Sequence, residues 1–162
     1  VIGSTMLVRP RTPADEPIVA YFLRRRHSER VARLRRLERP LDHPGLVAEQ
    51  GGKLAGVLTY VIGEDSCEIL TLHATERWRG AGTALLAEVE ELARRRGRRR
   101  LWVLTTNDNL DALRFYQRRG FRLAELYPGA VQDARVRLKP EIPASGNHGI
   151  PIRDEIVLDK LL

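Results

Sequence analysis

Cysteine occurs once in this chain, at Cys67, which rules out an intramolecular disulfide and suits a reducing cytoplasm. No apolar run approaches the roughly 18 residues that a membrane-spanning helix needs, and the first ten residues lack a signal-peptide core. Histidine and cysteine are too few and too scattered for a metal centre: His27, His43, His73 and His148 stand far apart, and Cys67 has no partner in metal-ligand spacing. Lysine is nearly missing, with 3 against 25 arginines, and the net charge is +7. That surplus favours anionic partners, although an arginine-rich composition accounts for it equally well. The most basic stretch, "RRRHSERVARLRRLER" at 24–39, contains no interleaved aromatics, which argues against single-stranded nucleic acid as a partner. There are no internal repeats and no low-complexity linker.

What is present is the material of one globular domain: 162 residues, 43% apolar and 30% charged. Met6 is the only methionine, and residues 1–5 ahead of it read as a non-native tail, leaving 6–162 as the domain. Residues 6–12 read as a strand ended by Pro10 and Pro13. Residues 14–26 read as a helix with Ile18, Val19, Phe22 and Leu23 on its apolar stripe. A second, basic helix is expected over about 28–38, with Val31, Leu34 and Leu37 on one face. "LVAEQ" and "KLAGVLTYVIG", joined by Gly51-Gly52, form a hairpin pattern, and 66–75 adds a third strand to an antiparallel meander. The pattern then changes. Residues 82–97 read as a helix with Leu85, Leu86, Val89, Leu92 and Ala93 on one face and Gly97 as its cap. Residues 101–106 read as a buried strand, 110–120 as a short helix, "FRLAELY" as a strand, and 152–160 as a last strand after a Pro/Gly-rich loop.

Strand 66–75, helix 82–96 and strand 101–106 make a βαβ unit, whose right-handed crossover sets the two strands parallel. Ligands collect at the C-terminal ends of such strands, where "RWRGAG" lies. No lysine follows Gly82, so the loop is not a nucleoside-triphosphate P-loop. Leu85 occupies the third glycine position of a dinucleotide fingerprint, and no acidic residue ends the next strand. A glycine turn opening a helix still points backbone amides outward with the positive helix end behind them. Thr83 can add a hydroxyl there, and Arg77 and Arg79 can add charge, which together would cradle a pyrophosphate.

A second motif, "NLDALRFYQRRGF" at 109–121, places Asn109 after a strand, Ala112 facing inward, Tyr116 on a helix and Gly120-Phe121 at its end. With Arg77-x-x-Gly80-x-Gly82 upstream, the chain resembles the GNAT N-acetyltransferase superfamily over about residues 6–127, with a less typical tail. The resemblance implies an α+β fold: a mixed, mostly antiparallel central sheet with a parallel βαβ core splayed at the coenzyme site and helices on both faces. It implies acetyl-coenzyme A as acyl donor, no metal, and direct transfer to an amine. Amides from Arg79 to Ala84, including Gly80, Ala81, Gly82 and Thr83, would hold the pyrophosphate. Backbone at Leu72 and Ala74 would pair with the pantetheine arm, Asn109 would bond that arm from the opposite side, and Tyr116 would be the acid. A helix cap is the plain alternative for Asn109, and a core aromatic for Tyr116; Phe115 suits the core better.

Glu68 is the candidate base, because strand alternation sets it on one face with Leu70, Leu72 and Ala74; His73, on the other face, competes, as does water. The basic 24–39 stretch reads first as a solvated face and next as a surface for an acidic acceptor or protein. Asp154 and Glu155 are either strand-edge charges or a seat for a cationic amine. The loop 139–151 is expected to cover the acceptor pocket or support a dimer contact. The function expected is therefore transfer of an acetyl group to a small-molecule amine in the cytoplasm by a monomer or homodimer. A protein amine as acceptor, or a module that binds coenzyme or nucleic acid without catalysis, are the alternatives.

Overall fold

A computed structural model describes residues 5–75 and 80–162 of the chain. In chain order the elements are β1 (Leu7–Pro10), α1 (Glu16–Arg24), β2 (Val31–Arg33), β3 (Arg36–Glu38), β4 (Gly45–Gln50), β5 (Lys53–Ile62) and β6 (Ser66–Ala74). They continue with α2 (Ala81–Arg95), β7 (Arg100–Thr106), α3 (Leu110–Arg118), β8 (Arg122–Tyr127), α4 (Ala130–Arg137) and β9 (Glu155–Leu161). Seven strands form one sheet in the order β1-β4-β5-β6-β7-β9-β8. Every pairing in it is antiparallel except β6 with β7, the two strands that α2 connects. The mixed sheet with a parallel βαβ centre is the fold that the sequence implies. No helix among the described residues is long and apolar enough to cross a membrane.

The apolar periodicities explain the layers. Leu85, Leu86, Val89, Leu92 and Ala93 of α2 are all buried, packing on Leu46, Leu58, Tyr60 and Ile69 of the sheet. Cys67 lies fully buried in the same cluster, where burial pushes its thiol up to about 12. On the opposite face Val19, Phe22 and Leu23 of α1 pack on Val47 and Val57. Ile18, expected in that stripe, is 51% exposed, because the first turn of the segment is 3-10 (Pro13–Asp15) and α1 starts only at Glu16. Gly51 and Gly52 both take positive φ, the requirement of a two-residue hairpin turn.

Three features depart from the sequence expectations. The segment expected as a basic helix is the β2–β3 hairpin, with Val31 opposite Glu38 and Arg33 opposite Arg36. Leu34 and Arg35 make its turn at φ 43° and 64°. Side-chain placement decides this: the hairpin delivers Arg33 to the buried Glu68, a pairing that an exposed basic helix would not supply. Second, the tail contains an unforeseen helix, α4, and its last strand begins at Glu155 rather than 152. Third, β6 carries a bulge. Thr59 of β5 pairs with Thr71 and Tyr60 pairs with Ile69, so Leu70 has no partner of its own. The extra residue inverts the alternation beyond it. Cys67, Ile69 and Leu72 face α2, whereas Glu68, Thr71 and His73 share the other face, as the 2.6 Å contact of the Thr59 and Thr71 hydroxyls shows for that pair. Glu68 is therefore on the face of His73 and not on that of Leu72 and Ala74.

The tail is latched to the sheet by the turn after β7. Asp108, buried, accepts from Thr106 Oγ1 at 2.5 Å and from Asn147 N at 3.0 Å. Asn107 Oδ1 accepts from the amides of Arg153 and Asp154 at 2.9 and 3.0 Å. Gly146 passes so close that a Cβ there would sit 2.0 Å from Asp108 Oδ2. Gly146→Ala is thus expected to destabilise the protein by about 1–3 kcal/mol in urea unfolding and to make the 139–151 segment more susceptible to protease; unchanged stability and cleavage would show that the latch yields freely.

Candidate active site

Pairing between β6 and β7 covers only residues 66–69 against 100–103. Beyond Ile69 and Val103 the two strands no longer bond each other, and among the described residues no other strand pairs with that edge of β6 over 70–74. A cavity of about 620 Å³ meets this edge, with Leu72, Ala74, Gly82, Asn109, Tyr116 and Arg119 in its wall. Gly80 precedes α2 at φ 97°, a conformation that favours glycine. Its carbonyl takes the Ala84 N–H at 2.9 Å, so the first-turn amides without an intrahelical acceptor are those of 81–83. The Thr83 hydroxyl accepts from Arg119 Nη2 at 2.7 Å, and that guanidinium lies 3.7 Å from the Phe115 ring centroid. Arg114 and Arg118 line the same cavity. Three guanidinium groups and a helix N-terminus thus converge on one concave surface, an arrangement suited to a phosphorylated ligand. Asn109 caps α3 through its Oδ1, which accepts from Ala112 N at 3.1 Å, and its side-chain amide remains beside the cavity.

A second cavity, of about 790 Å³, lies on the α1 face, between Ser28, His73, Thr105 and the tail residues Ile142 and Pro143. The two cavities share Leu72, Asn109, Ala112 and Tyr116 as common wall. Tyr116 is only 5% exposed, held edge-on by Phe115 and Phe121 at centroid distances of 5.1 and 5.2 Å. Burial pushes its hydroxyl well above the ordinary phenol range. His73 Nε2 lies 2.8 Å from Ser28 Oγ. Burial, helped by the charge of Arg26, pulls His73 down to about 4, which keeps the imidazole neutral at physiological pH. Glu68 forms a buried ion pair with Arg33; burial pushes its carboxyl upward while Arg33 pulls it back. Neither partner of that pair lines either cavity.

Residues 12–121 match the model of the acetyltransferase (GNAT) family. The chain belongs to the GNAT acetyltransferase family. It is 45% identical over 122 residues to the uncharacterized protein YxbD of Bacillus subtilis strain 168, covering 75% of this chain and 76% of YxbD. Its fold matches a GNAT family acetyltransferase from Elizabethkingia anophelis with acetyl-CoA bound, at a TM-score of 0.70 and 19% identity, covering 97% of this chain and 98% of that one. It likewise matches a Bacillus subtilis acetyltransferase in complex with CoA, at a TM-score of 0.69 and 20% identity over 98% and 99% of the two chains.

Within this GNAT domain the structure brings Leu72, Ala74, Gly82, Asn109 and Tyr116 to one cavity, with Gly80, Ala81 and Thr83 at the adjacent helix end. Ala84 is already engaged by Gly80, and Arg77 and Arg79 lie outside the described residues. Phe115, expected to be the core aromatic of α3, lines the first cavity, while its neighbour Tyr116 is the buried one. Sequence reasoning missed Arg114, Arg118 and Arg119; their signal was the helical spacing of Phe115 and Arg119, which stacks one on the other. It missed Ser28 as well, because that residue was placed in a helix. Among the described residues no three His, Cys, Asp or Glu side chains gather as metal ligands.

Two outcomes test these placements. An unfolded histidine takes up its proton near 6.5, whereas folded His73 resists until about 4. Over that interval the unfolded state binds more protons, so stability falls as pH falls. His73→Gln is expected to remove up to about 3 kcal/mol of this acid loss, read from urea midpoints at several pH values; an unaltered pH dependence would mean that His73 titrates normally. Arg33→Met and Glu68→Met should each cost about 3–5 kcal/mol, with the double variant losing far less than the sum. Additive losses would show that the pair does not interact.

Proposed function

We propose that this chain transfers the acetyl group of acetyl-coenzyme A directly to the amine of a small molecule. The observation that carries the reading is the meeting of two cavities at Tyr116, one walled by phosphate-binding chemistry and the other by the tail. The coenzyme-bound neighbours support the first as the donor site. The amides of 81–83, with Arg114, Arg118 and Arg119, hold the pyrophosphate, and Arg77 and Arg79, just before them in sequence, add charge. The free edge of β6 at Leu72 and Ala74 bonds the pantetheine arm, with Asn109 opposite. An amide of that edge polarises the thioester carbonyl, stabilising the oxyanion as it forms.

The acceptor enters the second cavity. Lys139 Nζ donates to the carbonyls of His27 and Arg30 at 2.9 and 2.8 Å, and Arg30 pairs with Glu141 at 2.5 Å. These contacts tie together the two loops that wall the cavity, which favours a small molecule over a protein segment. The amine nitrogen bonds to the acetyl carbon, the carbon–sulfur bond breaks, and the nitrogen gives up one proton while the coenzyme thiolate gains one. Burial keeps His73, on the cavity wall, neutral and a weak base, so water takes the amine proton. Glu68 holds Arg33 and the hairpin and does not contact the acceptor. Tyr116 donates a hydrogen bond to the departing sulfur. Its raised pKa keeps that donor protonated throughout the neutral range, since a phenolate buried there would be costly.

Tyr116→Phe is expected to lower kcat by about 10- to 100-fold, the worth of one hydrogen bond to a charged group, with acetyl-coenzyme A affinity nearly unchanged. Thiol release over a panel of small amines and peptides measures the first, and calorimetry the second. Undiminished turnover removes Tyr116 from the mechanism. No binding of acetyl-coenzyme A overturns the whole reading.

A further inference from the structure

The acceptor cavity does not end at its own wall. A smaller chamber of about 180 Å³ continues from it, sharing His27, Ser28, Val31, Ala32, Lys139 and Ile142. At the far side of this chamber stands Glu155, 2% exposed, at the first position of β9. The only hydrogen bond to its side chain among the described residues comes from Leu34 N to Oε2, at 3.1 Å. No cation among them lies within ion-pair distance of it. Arg33, its nearest positive influence, is committed to Glu68.

The other charged groups of the chamber are already engaged. Lys139 is held by two carbonyls, and Arg30 is paired with Glu141. Glu155 is therefore the one carboxylate among the residues lining the chamber, with spare acceptor capacity and no ion-pair partner among the described residues. Burial pushes its carboxyl upward, toward the neutral form, and a cationic ligand in contact with it would favour the charged form again. A carboxylate buried in this way on a cavity wall has the features of a ligand-binding group.

We propose that Glu155 binds a second, cationic group of the acceptor, so that the preferred substrate class is a diamine or longer polyamine rather than a monoamine. The proposal rests on the second cavity being the acceptor site. One amine lies at the thioester beside Tyr116, and the other, as an ammonium, reaches through the chamber to Glu155. The side chain acts on specificity and takes no part in bond making.

Binding and turnover separate the proposal from the reading beneath it. Straight-chain diamines of three to eight carbons, and the monoamines of equal length, are titrated into the protein with coenzyme A present while thermal midpoints are followed. At least one diamine is expected to raise the midpoint where its monoamine does not, and Glu155→Gln, which keeps the Leu34 contact, is expected to abolish the difference. In thiol-release assays the diamine-to-monoamine ratio of kcat/KM should fall from at least about tenfold to near one. If Glu155→Gln does not fold, Ala32→Leu narrows the same chamber and should have the same effect. Equal shifts by both ligand classes, no shift by any diamine, or a preference that survives both variants overturns the role of Glu155. Diamine binding that depends on Glu155 without any thiol release would uphold the site and overturn the transferase reading instead.

Discussion

Two parallel strands that stop bonding halfway along their length set the terms for the rest of this molecule. β6 and β7 pair through Ile69 and Val103 and then part. The bulge at Leu70 contributes to the parting, because an extra residue bends and twists the strand that carries it. A sheet interior normally leaves no backbone group unsatisfied, so an unpaired stretch at its centre is costly unless something else bonds it. A ligand with alternating amide groups meets that need. The same opening lets a cavity on the α2 side meet one on the α1 side at Leu72 and Tyr116.

The turn "TNDN" does several jobs in four residues. Asn107 and Asp108 bind the tail, and Asn109 starts α3 while lining both cavities. The wall of the second cavity and the helix that presents Tyr116 therefore share one anchor at the end of β7. The β2–β3 hairpin is anchored differently, through a buried charge pair. Replacing such a pair with apolar groups often costs little, so its value lies in fixing the hairpin register, and with it Leu34 against Glu155.

Much of this could be read from the chain. The five buried positions of α2 follow from helical spacing, the β4–β5 hairpin from Gly51-Gly52, and the parallel pair from the crossover rule. The cavity beside α2 was legible for the same reason: Gly80, Gly82 and Asn109 sit at the ends of regular elements, where local geometry sets their positions. The remainder depends on contacts between distant segments. Val31, Leu34 and Leu37 are spaced as a helix would space them, and the hairpin is held by contacts with distant segments, among them Arg33 with Glu68, 35 residues away, and Leu34 with Glu155. Nothing in "SCEILTLHAT" marks an extra residue, so the faces assigned to Glu68 and His73 were inverted relative to each other. The helix α4 buries only Val131 and Ala134, too little apolar surface to stand out between two proline-bearing stretches.

Cys67 has a consequence for the kind of catalyst this can be. The chain owns one sulfur nucleophile, and it is sealed under α2 with its thiol held up to about 12. Thioester exchange needs a thiolate that can reach the carbonyl. This chain cannot offer one, so it is protected from capturing acyl groups on sulfur, and the reactive sulfhydryl that appears in its reaction mixture comes from the coenzyme.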